Sequence, residues 1–317
     1  MPQTTNLYED RPDHIDIVKL RNRVLAVIAI ASECGQAITF DEITLMLPQM
    51  SKKINAKEFI QNDRTILAQI TIQNQLVTLR GYESSLIDRA HKEVISKKKM
   101  QTAITFAHSL LGRRSYLKFF AVCGSVAYGV ANENDDIDLF LVCQKNRMWL
   151  TLAKALLLAR ITNSTKKTNG KHPNFCLSYI ADEKSFAKEV FNHKDLLFAR
   201  EFLSAKVLAG QQFYYDILTQ TEWIKQILPA FYSLKLSRKS GFTATNEVYS
   251  HSLTSDIADT VLYALLGSYL QFKAFLRNLS FKKKGKFKDL FEAKITKGSC
   301  VYNSERYKEL EKMYGFI

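Results

Sequence analysis

Between Phe119 and Cys143 the chain reads FFAVCGSVAYGVANENDDIDLFLVC. Two apolar runs, FFAVC and DIDLFLVC, have the make-up of short buried strands. The first ends in Gly124-Ser125, and the second opens with Asp136-Ile137-Asp138. Strand side chains alternate between faces, so Asp136 and Asp138 fall on one side of a sheet. Two neighbouring carboxylates repel unless a cation sits between them. Hard oxygen ligands of this kind suit Mg²⁺ (or Mn²⁺), with water and substrate phosphates completing the shell. Gly124 lets the backbone approach a phosphate closely, and Ser125 begins a short helix whose free N–H groups attract anions. A metal-holding acid pair beside a phosphate cradle is the equipment of nucleotidyl transfer, an in-line displacement that expels pyrophosphate. Either half alone is weak, since Gly-Ser ends many strands and an acidic loop is ordinarily a solvated one.

The elements that must position these residues follow from periodicity. After the second strand, RMWLTLAKALLLARI (147–161) is a strongly apolar helix, and NFCLSYI (174–180) is a third strand. Strand, helix, strand, helix, strand over 113–184 describes a small sheet packed against helices. Upstream, IVKLRNRVLAVIAIASE ends before Gly35, FDEITLMLP starts after Thr39, and NAKEFIQNDRTILAQI (55–70) reads as a third helix. TIQNQLVTLRG alternates as a hairpin would. Three helices and a hairpin over 1–84 are the order of a winged helix-turn-helix, joined to the centre by a connecting helix over 85–112. Beyond Asp182 the pattern is helical almost to the end: DLLFAREFLSAKVLA (195–209), QFYYDILTQTEWIKQIL, a polar connection over 235–253, SDIADTVLYALLGSYLQFKAFLRNL (255–279) and a closing amphipathic helix NSERYKELEKMY. The fold class expected is α+β, with a helical region over 185–317.

The Gly-Ser…Asp-x-Asp arrangement resembles the DNA polymerase β-like nucleotidyltransferase superfamily, through Cys123, Gly124, Ser125, Asp136 and Asp138 with their flanking apolar strands. Arg147-Met148-Trp149-Leu150-Thr151, Pro173-Asn174-Phe175 and Ala199-Arg200-Glu201 extend the likeness to a prokaryotic group of nucleotidyltransferase-domain proteins with an N-terminal winged-helix segment. The resemblance covers most of residues 15–230. It implies a mixed nucleotidyltransferase sheet in which Asp136 and Asp138 hold one or two Mg²⁺ and Gly124 and Ser125 seat the β- and γ-phosphates of an NTP. Arg147 is a candidate to stabilise the triphosphate. The superfamily usually adds a third carboxylate on a later strand, where NFCLSYI has none. Asp182 and Glu183 just past it, and Glu201 on a following helix, are candidates. The alternatives are that two acids suffice without a third, or that the site binds nucleotide without turnover, as a nucleic-acid-associated regulator would.

Composition sets the limits around this reading. The 317 residues are 46% apolar and 24% charged, which excludes a disordered or low-complexity chain. The net charge of +14 divides as +2 over residues 1–100, +6 over 101–210 and +6 over 211–317. This bias attracts polyanions and makes RNA or DNA an expected partner, without bearing on the fold. FKKKGKFK (281–288) interleaves two Phe with lysines and could grip a nucleic-acid backbone, although a solvated face is the simpler account. The six histidines show no metal-ligand spacing, and His172 beside the third strand reads as a loop residue. No two of the five cysteines lie within four residues of each other, and no apolar run reaches the roughly 18–20 residues of a membrane span. A cytoplasmic protein with no membrane partner is expected.

Overall fold

The computed structural model describes residues 17–48, 54–112, 116–165, 175–192, 194, 196–238, 253–287 and 290–304. Its first unit is built on α1 (Ile17–Glu33), whose run from Val24 to Ser32 is buried on every side. Gly35, at φ +68°, turns the chain into β1 (Ile38–Thr39) and α2 (Phe40–Met46). Thr39 and Glu42 close a reciprocal cap: Thr39 Oγ1 accepts from the Glu42 amide at 3.1 Å, and Glu42 Oε2 from the Thr39 amide at 2.8 Å.

The single helix expected over 55–70 is two, α3 (Ala56–Asn62) and α4 (Arg64–Leu67). Asp63 breaks it by accepting from the amides of Thr65 and Ile66, while Arg21 donates to its other oxygen at 2.7 Å. A carboxylate that satisfies two helix-start donors favours a new N-terminus over continuation. β2 (Ile70–Gln73) and β3 (Leu76–Leu79) complete a three-stranded sheet of order β1-β3-β2. Asn74 and Gln75, both at positive φ, make its tight turn. α5 (Ser84–Ile87) and α6 (Arg89–Leu111) follow in place of one long connection.

The second unit is a mixed sheet. Its elements in order are β4 (Leu117–Cys123), α7 (Gly124–Tyr128), β5 (Ile137–Cys143), α8 (Met148–Thr165), β6 (Phe175–Asp182), α9 (Glu183–Asn192), α10 (Leu196–Ser204), β7 (Lys206–Ala209), α11 (Gln211–Gln220), α12 (Glu222–Ile227) and α13 (Pro229–Ser237). Then come α14 (Leu253–Leu262), a π-helical turn (Tyr263–Gly267), α15 (Ser268–Lys283), β8 (Phe291–Ile295) and β9 (Ser299–Ser304). The strand order is β7-β4-β5-β6-β9-β8, with β5 and β6 parallel and the other pairs antiparallel. The chain is a mixed α+β protein.

The region past Asp182 is therefore not simply helical. KVLA leaves the expected helix over 195–209 to become the edge strand β7, and residues 291–304 form a hairpin that joins β6. The boundary expected at 184/185 runs through the sheet. The helix expected over 255–279 is interrupted by the π turn, and the closing helix NSERYKELEKMY lies, past Ser304, outside the described residues. So do His172, Pro173, Asn174 and residues 239–252.

Alternation along the strands builds two apolar layers. Phe119 and Ala121 of β4, with Phe140 and Val142 of β5, pack under α9–α13. Phe120, Val122, Leu139 and Leu141 pack against α6, α8 and the π turn. Asp138 shares the parity of Phe140, so its carboxylate emerges on the first face, beyond the edge of that core. No described helix is long and apolar enough to cross a membrane.

Candidate functional site

The register of β4 against β5 decides where the chemistry-bearing residues meet. Cys123 pairs with Asp138, so the Gly124-Ser125 turn lies directly beside the acid that opens β5. Asp136, immediately before the strand, is exposed, Ile137 is buried, and Asp138 is half-buried. Gly124 sits at φ +63°, and a Cβ on it would overlap Asp138 Oδ2 and stand 3.1 Å from its Cγ. The glycine is thus required first by the carboxylate packed against it.

These residues line a cleft of about 490 Å³ together with Ser125, Tyr128, Asn132, Asp135 and Glu201. Its far wall is the turn Glu33-Cys34-Gly35 of the N-terminal unit. That turn and the two residues after it are held by α6 and α10: Lys92 donates to Gly35 O at 3.0 Å, Arg89 to Ala37 O, and Arg200 to Gln36 Oε1 at 3.3 Å. Arg200 also lies over the Tyr128 ring, 4.7 Å from its centroid.

Of the three acids considered as a third carboxylate, one reaches the cleft. Glu201 comes in from α10: Oε2 accepts from the Gly124 amide and Oε1 from the Tyr128 hydroxyl, both at 3.1 Å. Asp182 pairs with Cys143, five residues along β5 from Asp138, a separation of about 17 Å at strand rise. There it caps α9, accepting from the Ser185 amide at 2.7 Å. Glu183 lies at that same end, near Lys118 and the Lys145 amide. The β6 residue that pairs with Asp138 is Cys176.

Arg147, the candidate for the triphosphate, is not at the cleft. It follows the far end of β5, is 1% exposed, and forms an ion pair with Asp256 of α14 while lying over the Tyr116 ring. There it links α14 to the end of β5, as Asp259 links α14 to α8 through the Leu150 amide at 2.9 Å.

Acids dominate the electrostatics. Burial pushes the Asp138 carboxyl up to about 7, a thiol hydrogen bond from Cys176 works against this, and the charges of Glu201, Asp136 and Asp135 add to the rise. Among the described residues no Lys or Arg lines this cleft. Nor are three or more His, Cys, Asp or Glu side chains arranged there or elsewhere to hold a metal alone. Two carboxylates are, however, the number Mg²⁺ ordinarily takes from a protein when substrate phosphates share its coordination. The donor set fits such an ion.

Cations gather instead on the neighbouring edge strand, where sequence reasoning did not look. Lys206 pairs with Val122, two residues before Gly124. Lys235 of α13 donates to Ala205 O at 2.8 Å, and burial together with Lys206 and Arg238 pushes it down to about 8. By contrast Lys282–Lys284 of the basic run lie at the end of α15, which packs on β8 at the opposite edge of the sheet. No family model, curated protein or solved structure matches the chain.

Proposed function

We propose that this protein is a metal-dependent nucleotidyltransferase that moves a nucleoside monophosphate from an NTP to a hydroxyl acceptor, releasing pyrophosphate. The observation that carries the reading is the pairing of Cys123 with Asp138, which sets the Gly-Ser turn and the Asp-x-Asp acids side by side at the mouth of one cleft. Asp136 and Asp138 would hold Mg²⁺ or Mn²⁺. Such an ion, when bound, neutralises the triphosphate and lowers the pKa of the attacking hydroxyl. Ser125, through its hydroxyl and amide, seats the β- and γ-phosphates, and Glu201 fixes the orientation of Gly124. In the reaction the acceptor oxygen bonds to the α-phosphorus as the bond to the β-phosphate oxygen breaks.

The order of the N-terminal elements, helix, strand, three further helices and a hairpin with sheet order β1-β3-β2, supports the winged-helix reading. The net charge of only +2 over residues 1–100 and the place of the Glu33–Gly35 turn in the cleft lining favour a wall of the site over a free DNA reader. A nucleic-acid acceptor is favoured by the overall charge and by Lys206, Lys235 and Arg238 beside the Gly124 end of the sheet.

A second reading, a nucleotide-binding regulator with little turnover, is favoured by two observations. Cys176 stands where β6 faces Asp138, and Glu201 already occupies the Gly124 amide. The separating experiment incubates the protein with each α-labelled NTP, Mg²⁺ or Mn²⁺, and RNA, DNA and protein acceptors. Label transfer supports the enzyme, and the labelled species names the acceptor. Saturable NTP binding by calorimetry without transfer supports the regulator.

A further inference from the structure

One face of α6 holds both sides of the cleft. Arg89, Lys92, Ser96 and Lys99 follow one another at helical spacings, which keeps them on one side of the helix. Arg89 and Lys92 donate to Ala37 O and Gly35 O of the N-terminal unit. Ser96 and Lys99 hold the acid side, the loop that leads into β5. Ser96 is 4% exposed, and its Oγ donates to Lys92 O at 2.7 Å and accepts from the Ala131 amide at 2.9 Å. Lys99 Nζ donates to Glu133 O at 3.1 Å and to Asp135 O at 2.5 Å. From Arg89 to Lys99 is about 15 Å along the helix axis at 1.5 Å per residue. A single rigid element therefore ties the two walls together.

The loop matters for what it carries. Asp136 stands before Ile137, where β5 begins, and so lies outside the strand ladder. Asp135 turns its carboxylate back into the loop: Oδ2 accepts from the Asn132 amide at 2.8 Å, while the Asp135 amide donates to Asn132 O at 3.2 Å. The carbonyl that Lys99 holds most closely belongs to the peptide bond between Asp135 and Asp136. The tilt of that peptide sets where the Asp136 side chain leaves the backbone. A ligating carboxylate must sit within about 0.5 Å of its productive place, a precision supplied by the hydrogen bonds behind it. The Lys99 charge by itself would oppose a cation, so any benefit to metal binding comes from its grip on the backbone.

We propose that Ser96 and Lys99 are positioning residues that hold Asp136 in place for a divalent cation, with α6 bracing its loop against the N-terminal wall. The inference rests on the reading of Asp136 and Asp138 as metal ligands. Its test is Mn²⁺ titration of the full chain, followed by the electron paramagnetic resonance signal of the free ion, which needs no turnover. Ser96→Ala, which changes no charge, and Lys99→Met are each expected to weaken Mn²⁺ binding about 10-fold or more with unchanged circular dichroism. Lys99→Arg, still able to donate to both carbonyls, is expected to restore most of the affinity. Should Ser96→Ala unfold, the two Lys99 variants decide. A parent that binds Mn²⁺ no more tightly than folded Ser96→Ala or Lys99→Met overturns this inference alone, as does Lys99→Arg binding as weakly as Lys99→Met. A parent that binds no Mn²⁺ overturns the metal reading and this inference with it.

Discussion

Glu201 accepts a hydrogen bond from the backbone amide of Gly124 at 3.1 Å, across 77 residues of sequence. Its carboxylate therefore rests on the turn that a triphosphate would use, and adds to the charge that keeps a proton on Asp138. Glutamine at this position could still accept from Gly124 while removing the charge. Glu201→Gln is expected to lower KM for the NTP several-fold and leave kcat within a few-fold, the pattern of altered ground-state binding. Steady-state kinetics with Mg²⁺ check this. A hundredfold fall in kcat would instead make Glu201 the third catalytic acid. Asp182→Asn, at the far end of β6, should change neither constant.

Gly124→Ala meets two obstacles at once. The left-handed φ costs an L-residue about 1–2 kcal/mol, and the added Cβ collides with the Asp138 carboxylate. Thermal melting should show a loss of roughly 2 kcal/mol or more, with transfer activity lost through displacement of Asp138. A variant as stable and active as the parent would contradict the close packing of these two residues.

Arg147 is nearly fully buried and Asp256 is about a third exposed, so the pair is asymmetric. Asp256→Ala removes one charged hydrogen-bond partner of a buried guanidinium, for an expected cost of about 2 kcal/mol. Urea unfolding measures it. The KM for NTP of the folded protein should not move. A rise in KM with no change in stability would return Arg147 to the nucleotide.

The raised Asp138 group gives stability a pH dependence of definite sign. In the folded, metal-free protein it titrates at about 7 against 3.8 for an ordinary carboxyl. Between those values the folded state binds a proton that the unfolded chain has released. The stabilisation is full below pH 4 and is lost as pH rises through 7, with an upper limit of about 4 kcal/mol that a half-buried side chain reaches only in part. In EDTA the melting temperature should fall from pH 5 to pH 7.5, and Asp138→Asn should flatten that slope. A parent and variant with parallel profiles would remove Asp138 as its source.

The part of the site made by near neighbours in sequence was legible. Gly124, Ser125, Asp136 and Asp138 lie within fifteen residues, where β4 ends and β5 begins, and the pairing of those two strands brings them to one cleft. Glu201 depends on the packing of α10 over the sheet, which no local pattern states. Arg147 lies nine residues after Asp138, yet the seven-residue β5 carries the chain to its other end, away from the cleft. KVLA was hidden in the apolar stripe of the helix before it. The β8–β9 hairpin did leave a signal, Lys297-Gly298 between alternating segments, which the expectation of a helical ending passed over. Asp63 broke a helix because a side chain that can cap a new turn also ends the old one.

The central claim is that Asp136 and Asp138 serve nucleotidyl transfer, and label transfer from α-labelled NTPs by the parent protein beside Asp136→Ala and Asp138→Ala tests it most directly. The account predicts Mg²⁺- or Mn²⁺-dependent transfer by the parent, none by either variant, and variants that melt at or above the parent temperature in EDTA. Near-parental transfer by either variant, or no transfer by the parent with any NTP, metal and acceptor, would contradict it.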